Sequence, residues 1–116
     1  MWFGRSRIPR SKDVVVSSHE VLHEGLPVKR IIRWHEDAWF YLSGFESDDS
    51  EPLSVLFDDV IRVDWSVCTL SLREGQYALQ SRTSSDWSIW GPMPDEDIRV
   101  AMLSGRMAEQ HNALSG

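Results

Sequence analysis

Residues 28–46 read Val-Lys-Arg-Ile-Ile-Arg-Trp-His-Glu-Asp-Ala-Trp-Phe-Tyr-Leu-Ser-Gly-Phe-Glu. Two apolar runs flank a polar turn. Val28 to Trp34 forms the first, with Val28, Arg30, Ile32 and Trp34 on one face and Lys29, Ile31 and Arg33 on the other. His35-Glu36-Asp37 makes the turn, and Ala38 to Ser43 forms the second run. Period-two alternation and β-branched or aromatic residues on either side of a short turn predict a β-hairpin. The second strand ends at Gly44 and passes into the carboxylate-rich loop Glu46, Asp48, Asp49 and Glu51. An aromatic strand with an acidic exit suits the capture of a basic partner. It offers little of what enzyme sites need.

Further strands are predicted outward from this hairpin. Asp13 to Ser17 holds Val14-Val15-Val16, a β-branched run of the kind found in buried strands. Gly25 and Pro27 punctuate a turn before the hairpin. Gln76 to Arg82 alternates, with Tyr77, Leu79 and Ser81 opposite Ala78 and Gln80. After the loop Thr83–Asp86, Trp87 to Trp90 pairs back on it, with its two tryptophans on opposite faces. Leu53 to Leu72 fits a strand followed by a short helix or turn, and Asp64 or Ser66 can start another helical turn through Cys68. Asp95 suits the N-cap of a C-terminal helix, with Glu96 and Asp97 at its positive end. Ile98, Ala101 and Met102 lie on one side of that helix, and Gly105 weakens it. The expected fold is α+β: a single domain over residues 13–116, with a twisted, mostly antiparallel sheet and one or two packing helices, including the C-terminal one.

Composition sets the class. With 116 residues the chain is sized for one domain. Its 41% hydrophobic and 26% charged residues exclude intrinsic disorder. Six tryptophans can fill much of so small a core. The net charge of −6 is unevenly spread. Residues 1–12 hold Arg5, Arg7, Arg10 and Lys12 and no acid, so they carry +4 and the remainder −10. The first twelve residues read as a loosely held basic arm, with Trp2 and Phe3 available to dock. An acidic body repels nucleic acid. It attracts a basic protein surface and speeds the encounter. Cys68 is the single cysteine. It excludes an internal disulfide, reads as a small buried hydrophobe and suits the cytoplasm. No apolar run approaches a membrane span. The oligomeric state, monomer or dimer, stays open.

His19-Glu20-Val21-Leu22-His23 matches H-E-x-x-H. In zinc proteases that spacing puts two histidines on one helix face, with the glutamate as general base on bound water. Here Gly25 and Pro27 stop the helix directly after the second histidine. His35 and His111 are poorly placed as a third ligand. The expectation is a surface turn with two incidental histidines, with no metal and no cofactor; a small metallohydrolase is the alternative. Asp48-Asp49-Ser50-Glu51 lacks the alternating ligands and central glycine of a calcium loop. Gly44, Gly75 and Gly91 stand alone, so there is no phosphate-binding glycine loop.

Several residues together resemble a family. Val16-Ser17 is followed by Gly25 and Val28, then Arg33, Asp37-Ala38-Trp39-Phe40 and Gly44-Phe45-Glu46. Later come Val63-Asp64-Trp65-Ser66, Leu70, Leu72, Gly75, Tyr77-Ala78 and Arg82. Over residues 14–90 this order resembles the bacterial immunity-protein-thirty-three-like family. The chain departs from that pattern in three places. Ala38 stands for a glycine, Phe45 for an acidic residue, and Trp65 for a proline. The resemblance implies a non-enzymatic protein that binds and neutralises a bacterial toxin. The partner-binding candidates are Glu36, Asp37, Trp39, Glu46, Asp48, Asp49 and Glu51. The carboxylates would pair with arginine or lysine of the partner, and Trp39 would supply an apolar centre. A further alternative is an accessory domain that takes a peptide or small ligand along an exposed strand edge.

Overall fold

The hairpin forms around a register that sorts its side chains onto two faces. Strands β2 (Arg30–Arg33) and β3 (Trp39–Leu42) pair antiparallel, with Ile31 opposite Tyr41 and Ile32 opposite Phe40. Because side chains alternate along a strand, Ile31, Arg33, Trp39 and Tyr41 share one face. Ile32, Phe40 and Leu42 share the other. In the computed structural model, which describes residues 5–34, 38–47, 49–80 and 86–91, this hairpin is the centre of a six-stranded sheet.

The remaining strands are β1 (Val14–Ser18), β4 (Pro52–Leu56), β5 (Tyr77–Gln80) and β6 (Trp87–Trp90). Their order is β4-β1-β3-β2-β5-β6. Only β1 and β3 run parallel; the other four neighbouring pairs are antiparallel. The chain is therefore α+β with a mostly antiparallel sheet. The parallel pair needs a crossover. It is provided by α1 (His19–Leu22), the turn after it, and β2 itself. Leu53 to Leu72, open between strand and helix in the sequence, divides into both. Strand β4 runs directly into α2 (Phe57–Val63), and a 3₁₀ helix (Trp65–Thr69) follows.

The helices cover one face. Val15, Ile31, Trp39, Tyr41 and Ala78 of the sheet pack with Val21, Phe57, Val60 and Val67 of the helical segments. Asp64 pins this layer. One carboxylate oxygen accepts from the backbone N–H of Val28 at 3.0 Å, and the other accepts from the Ser66 N–H at 3.2 Å and its hydroxyl at 2.6 Å. Trp87 packs against this core while Trp90 is exposed, the split expected for residues three apart on a strand. A smaller cluster on the opposite face joins Ile32 and Leu42 with Trp34, Phe40 and Tyr77.

Residues 5–12, the described part of the basic segment, make several contacts with the body. Arg7 and Leu72 exchange two backbone hydrogen bonds of 3.0 Å. The Arg33 guanidinium donates to the carbonyls of Arg5 (2.9 Å) and Leu72 (2.8 Å) and lies over the Trp39 ring. Arg33 is thus a buried cation that ties the segment to the core. The expected C-terminal helix, the docking of Trp2 and Phe3, and the loop Thr83–Ser85 fall outside the described residues. No described helix is long and apolar enough to cross a membrane.

Tyr41 is fully buried between Trp39 and Phe57. Its hydroxyl, like the Trp39 indole N–H, has no hydrogen-bond partner among the described residues. Burial pushes the phenol pKa far up, and the nearby Cys68 adds to the shift. The ring therefore stays neutral and contributes as a hydrophobe. Tyr41→Phe removes an unpaired buried hydroxyl, so stability in urea is expected to stay within about 1 kcal/mol of the parent or to rise. A loss of about 2 kcal/mol or more would show that the hydroxyl has a partner, such as an ordered water.

Candidate functional site

The site forms where β1 and β3 end side by side. The Ser17 hydroxyl donates to the Tyr41 carbonyl at 2.7 Å, joining the two strands beyond their single ladder pair. Ser18 then ends β1 and caps α1. Its backbone is extended, and its Oγ accepts from the Val21 N–H at 3.3 Å, as an N-cap serine does. The capping serine is what turns His19–Leu22 into a helical turn. The helix stops there because His23 and Glu24 close back on the His19 carbonyl. Gly25 follows with φ at +71°.

Glu46 locks this corner. Its Oε2 accepts from the Ser18 hydroxyl at 2.6 Å, and from the Ser43 N–H and hydroxyl at 2.8 Å each. Its Oε1 accepts from the Gly44 N–H at 2.8 Å. Gly44 adopts φ +92°, a left-handed conformation that glycine takes without strain, and this turns the chain so that its amide meets the carboxylate. Partial burial pushes the Glu46 pKa up. The hydrogen bonds from Ser18, from main-chain amides and from the Ser43 hydroxyl outweigh it, and the net direction is down.

The loop after Glu46 folds back on α1. The Ser47 N–H donates to Ser50 Oγ at 2.9 Å, and the Ser50 N–H donates to the Ser47 carbonyl at 3.1 Å. The Ser50 hydroxyl donates to Glu20 Oε2 at 2.6 Å. The other Glu20 oxygen is buried with no partner among the described residues. Between helix and loop lies an open groove of about 400 Å³, lined by His19, Glu20, Ser47, Asp49, Ser50 and Glu51. Asp49 and Glu51 stand exposed on its rim. The lining thus carries three carboxylates against one histidine.

The candidates from sequence divide accordingly. Asp49 and Glu51 are brought together in the groove. Glu36, Asp37 and Asp48 lie outside the described residues. Trp39 is corrected: it is 2% exposed, stacked on Tyr41 inside the core, and no partner can reach it. Glu46 is corrected in role, since its carboxylate oxygens are engaged by Ser18, Ser43 and Gly44. Sequence reasoning placed Glu20 only in the His19–His23 motif and missed Ser47 and Ser50. Ser18 as an N-cap three residues before Val21 was a legible sign that His19–His23 forms a structured turn. Its position against the loop was not legible.

His19 and His23 do face each other, with ring centroids 4.9 Å apart, and His19 Nε2 lies 3.8 Å from Glu24. Among the described residues no three His, Cys, Asp or Glu side chains are grouped to hold a metal ion. His35 and His111 lie outside those residues.

Glu46→Gln tests the lock. A carboxylate whose folded pKa lies below its ordinary value of 4.5 stabilises the fold above that pH. That stabilisation is lost as pH falls through the lower folded value. The variant is expected to lose about 1–3 kcal/mol near neutral pH, the range for hydrogen bonds to a charged group. It should also show a shallower stability loss than the parent below pH 4.5. Urea titrations at several pH values read both, and equal acid slopes in the two proteins would contradict the assignment.

Compared with known proteins, the chain is matched by no family model, by no curated protein and by no solved structure at a meaningful level.

Proposed function

We propose that this chain is a non-enzymatic protein-binding module that captures a basic protein partner. The observation that carries this reading is the open groove between α1 and the loop 46–51, with Glu20, Asp49 and Glu51 in its lining. One Glu20 oxygen is held by Ser50 and the other is buried, so it is the exposed Asp49 and Glu51 that an arginine or lysine head group from a partner can meet. The rim carboxylates then steer the approach, and the net charge of −6 extends the attraction beyond the contact itself.

Neutralisation of a bacterial toxin fits this chemistry. Many toxins act on nucleic acid and need a basic surface to hold phosphate. An acidic groove can occupy such a surface in place of the phosphate. The family resemblance in residues 14–90 points the same way. The single cysteine suits action in the cytoplasm. Trp39 takes no part in contact here; it lies in the core.

A partner captured on the purified protein at low salt and released at high salt is the expected first result. Asp49→Lys with Glu51→Lys is then expected to weaken binding of that partner at least tenfold. The melting temperature should be nearly unchanged, because both side chains are exposed. A folded double variant that binds with parental affinity would remove the groove as the binding surface.

A further inference from the structure

Among the described residues, β4 is an end strand of the sheet, paired only with β1. The register of that pair fixes which main-chain groups point outward. Val14 lies opposite Leu56, Val16 opposite Ser54 and Ser18 opposite Pro52. One step beyond the ladder, the Phe57 N–H donates to the Asp13 carbonyl at 2.9 Å. In an antiparallel pair, opposite residues alternate between exchanging hydrogen bonds and not. Asp13 with Phe57 is a bonded pair, so Val15 with Val55 and Ser17 with Leu53 are bonded too. The main-chain groups of Pro52, Ser54 and Leu56 therefore point away from β1, along the outer edge.

This edge has the makings of a template for another strand. The side chains of Pro52, Ser54 and Leu56 are exposed. Val14 and its cross-strand neighbour Leu56 are 64% and 38% exposed. An open edge beside apolar side chains invites pairing with a second chain.

We propose that Pro52 and Asp59 close the outer edge of β4 to strand addition, whether by a second copy or by an extended peptide. An added strand needs donors at positions 52, 54 and 56, spaced about 6.8 Å apart. Pro52 has no N–H, and its ring fills the place where one would point. The Leu56 N–H is already spent on Asp59 Oδ2, at 3.1 Å. Helix α2 starts directly after β4, which holds that carboxylate beside the strand end. Its negative charge also repels an incoming carbonyl. One outward donor remains, the N–H of Ser54. Two of the three carbonyls presented by an added strand would leave water and find no donor.

The closure removes the capture of a peptide along β4, one of the alternatives raised by the sequence. It does not depend on the acidic groove or on any partner.

Amide hydrogen exchange on the full-length protein, at low and at high protein concentration, tests the proposal. The Ser54 amide is expected to exchange fast and at the same rate in both, while the Val55 amide, bonded to Val15, is protected. A Ser54 amide protected more strongly at high concentration would mean that a second copy pairs with this edge, and would overturn the proposal. Pro52→Thr with Asp59→Ala restores both missing donors. At high concentration this variant is expected to form larger assemblies than the parent by light scattering, with Ser54 exchange slowed by about tenfold or more. A folded double variant that keeps the parent's size and Ser54 exchange rate would overturn it. Pro52→Thr alone, which leaves the start of α2 intact, is expected to show the same change to a smaller degree, and no change in that variant would also overturn it.

Discussion

The carboxylate of Glu46 is the constraint on which the rest of the site depends. Donors from two chain segments meet at its two oxygens. The segments are the end of β1 through Ser18, and the exit of β3 through Ser43 and the next residue, Gly44. Ser18 is at once the last residue of a strand, the cap of α1 and a donor to Glu46. The direction of α1 and the path of the loop 46–51 are thus fixed by one group. A charged acceptor with several donors is worth more than the same number of neutral bonds. It also specifies the corner, because leaving those donors unpaired in a half-buried position is costly.

The groove follows from that corner. Ser50 reaches Glu20 across the gap, and the short turn Ser47–Ser50 holds Asp49 and Glu51 at the rim. Division of labour among the carboxylates is therefore physical. Glu46 is saturated by internal donors and serves structure. Glu20 lines the groove with one oxygen held by Ser50 and the other buried. Asp49 and Glu51 are solvated and free to meet a partner. Within the core, Trp39, Tyr41 and Phe57 form a run of packed aromatic rings.

Much of the fold was legible in the sequence. The hairpin of β2 and β3, the valine run of β1, the alternation of β5 and the split between Trp87 and Trp90 all follow from period-two patterning. The parallel contact of β1 with β3 was not legible, because it is a non-local pairing with one ladder pair and no turn signal. Nor could the sequence say which side of β3 would be core. Trp39 and Tyr41 alternate with Phe40 and Leu42, and both sets are bulky, each joining an apolar cluster on its own face. The acidic loop read as uniform, since residue type does not tell a hydrogen-bonded carboxylate from a solvated one. Only the meeting of Ser18, Ser43 and Gly44 at one carboxylate separates Glu46 from Asp49 and Glu51.

The most direct measurement is the titration of the Glu46 side-chain carboxyl carbon by NMR, at low and at high salt. A carboxylate that builds the corner titrates below 4.5, and its midpoint barely responds to salt because its partners are fixed dipoles rather than mobile charges. A midpoint at or above 4.5 that shifts with salt would show Glu46 to be an ordinary surface charge. The corner, and the groove that depends on it, would then have no such lock.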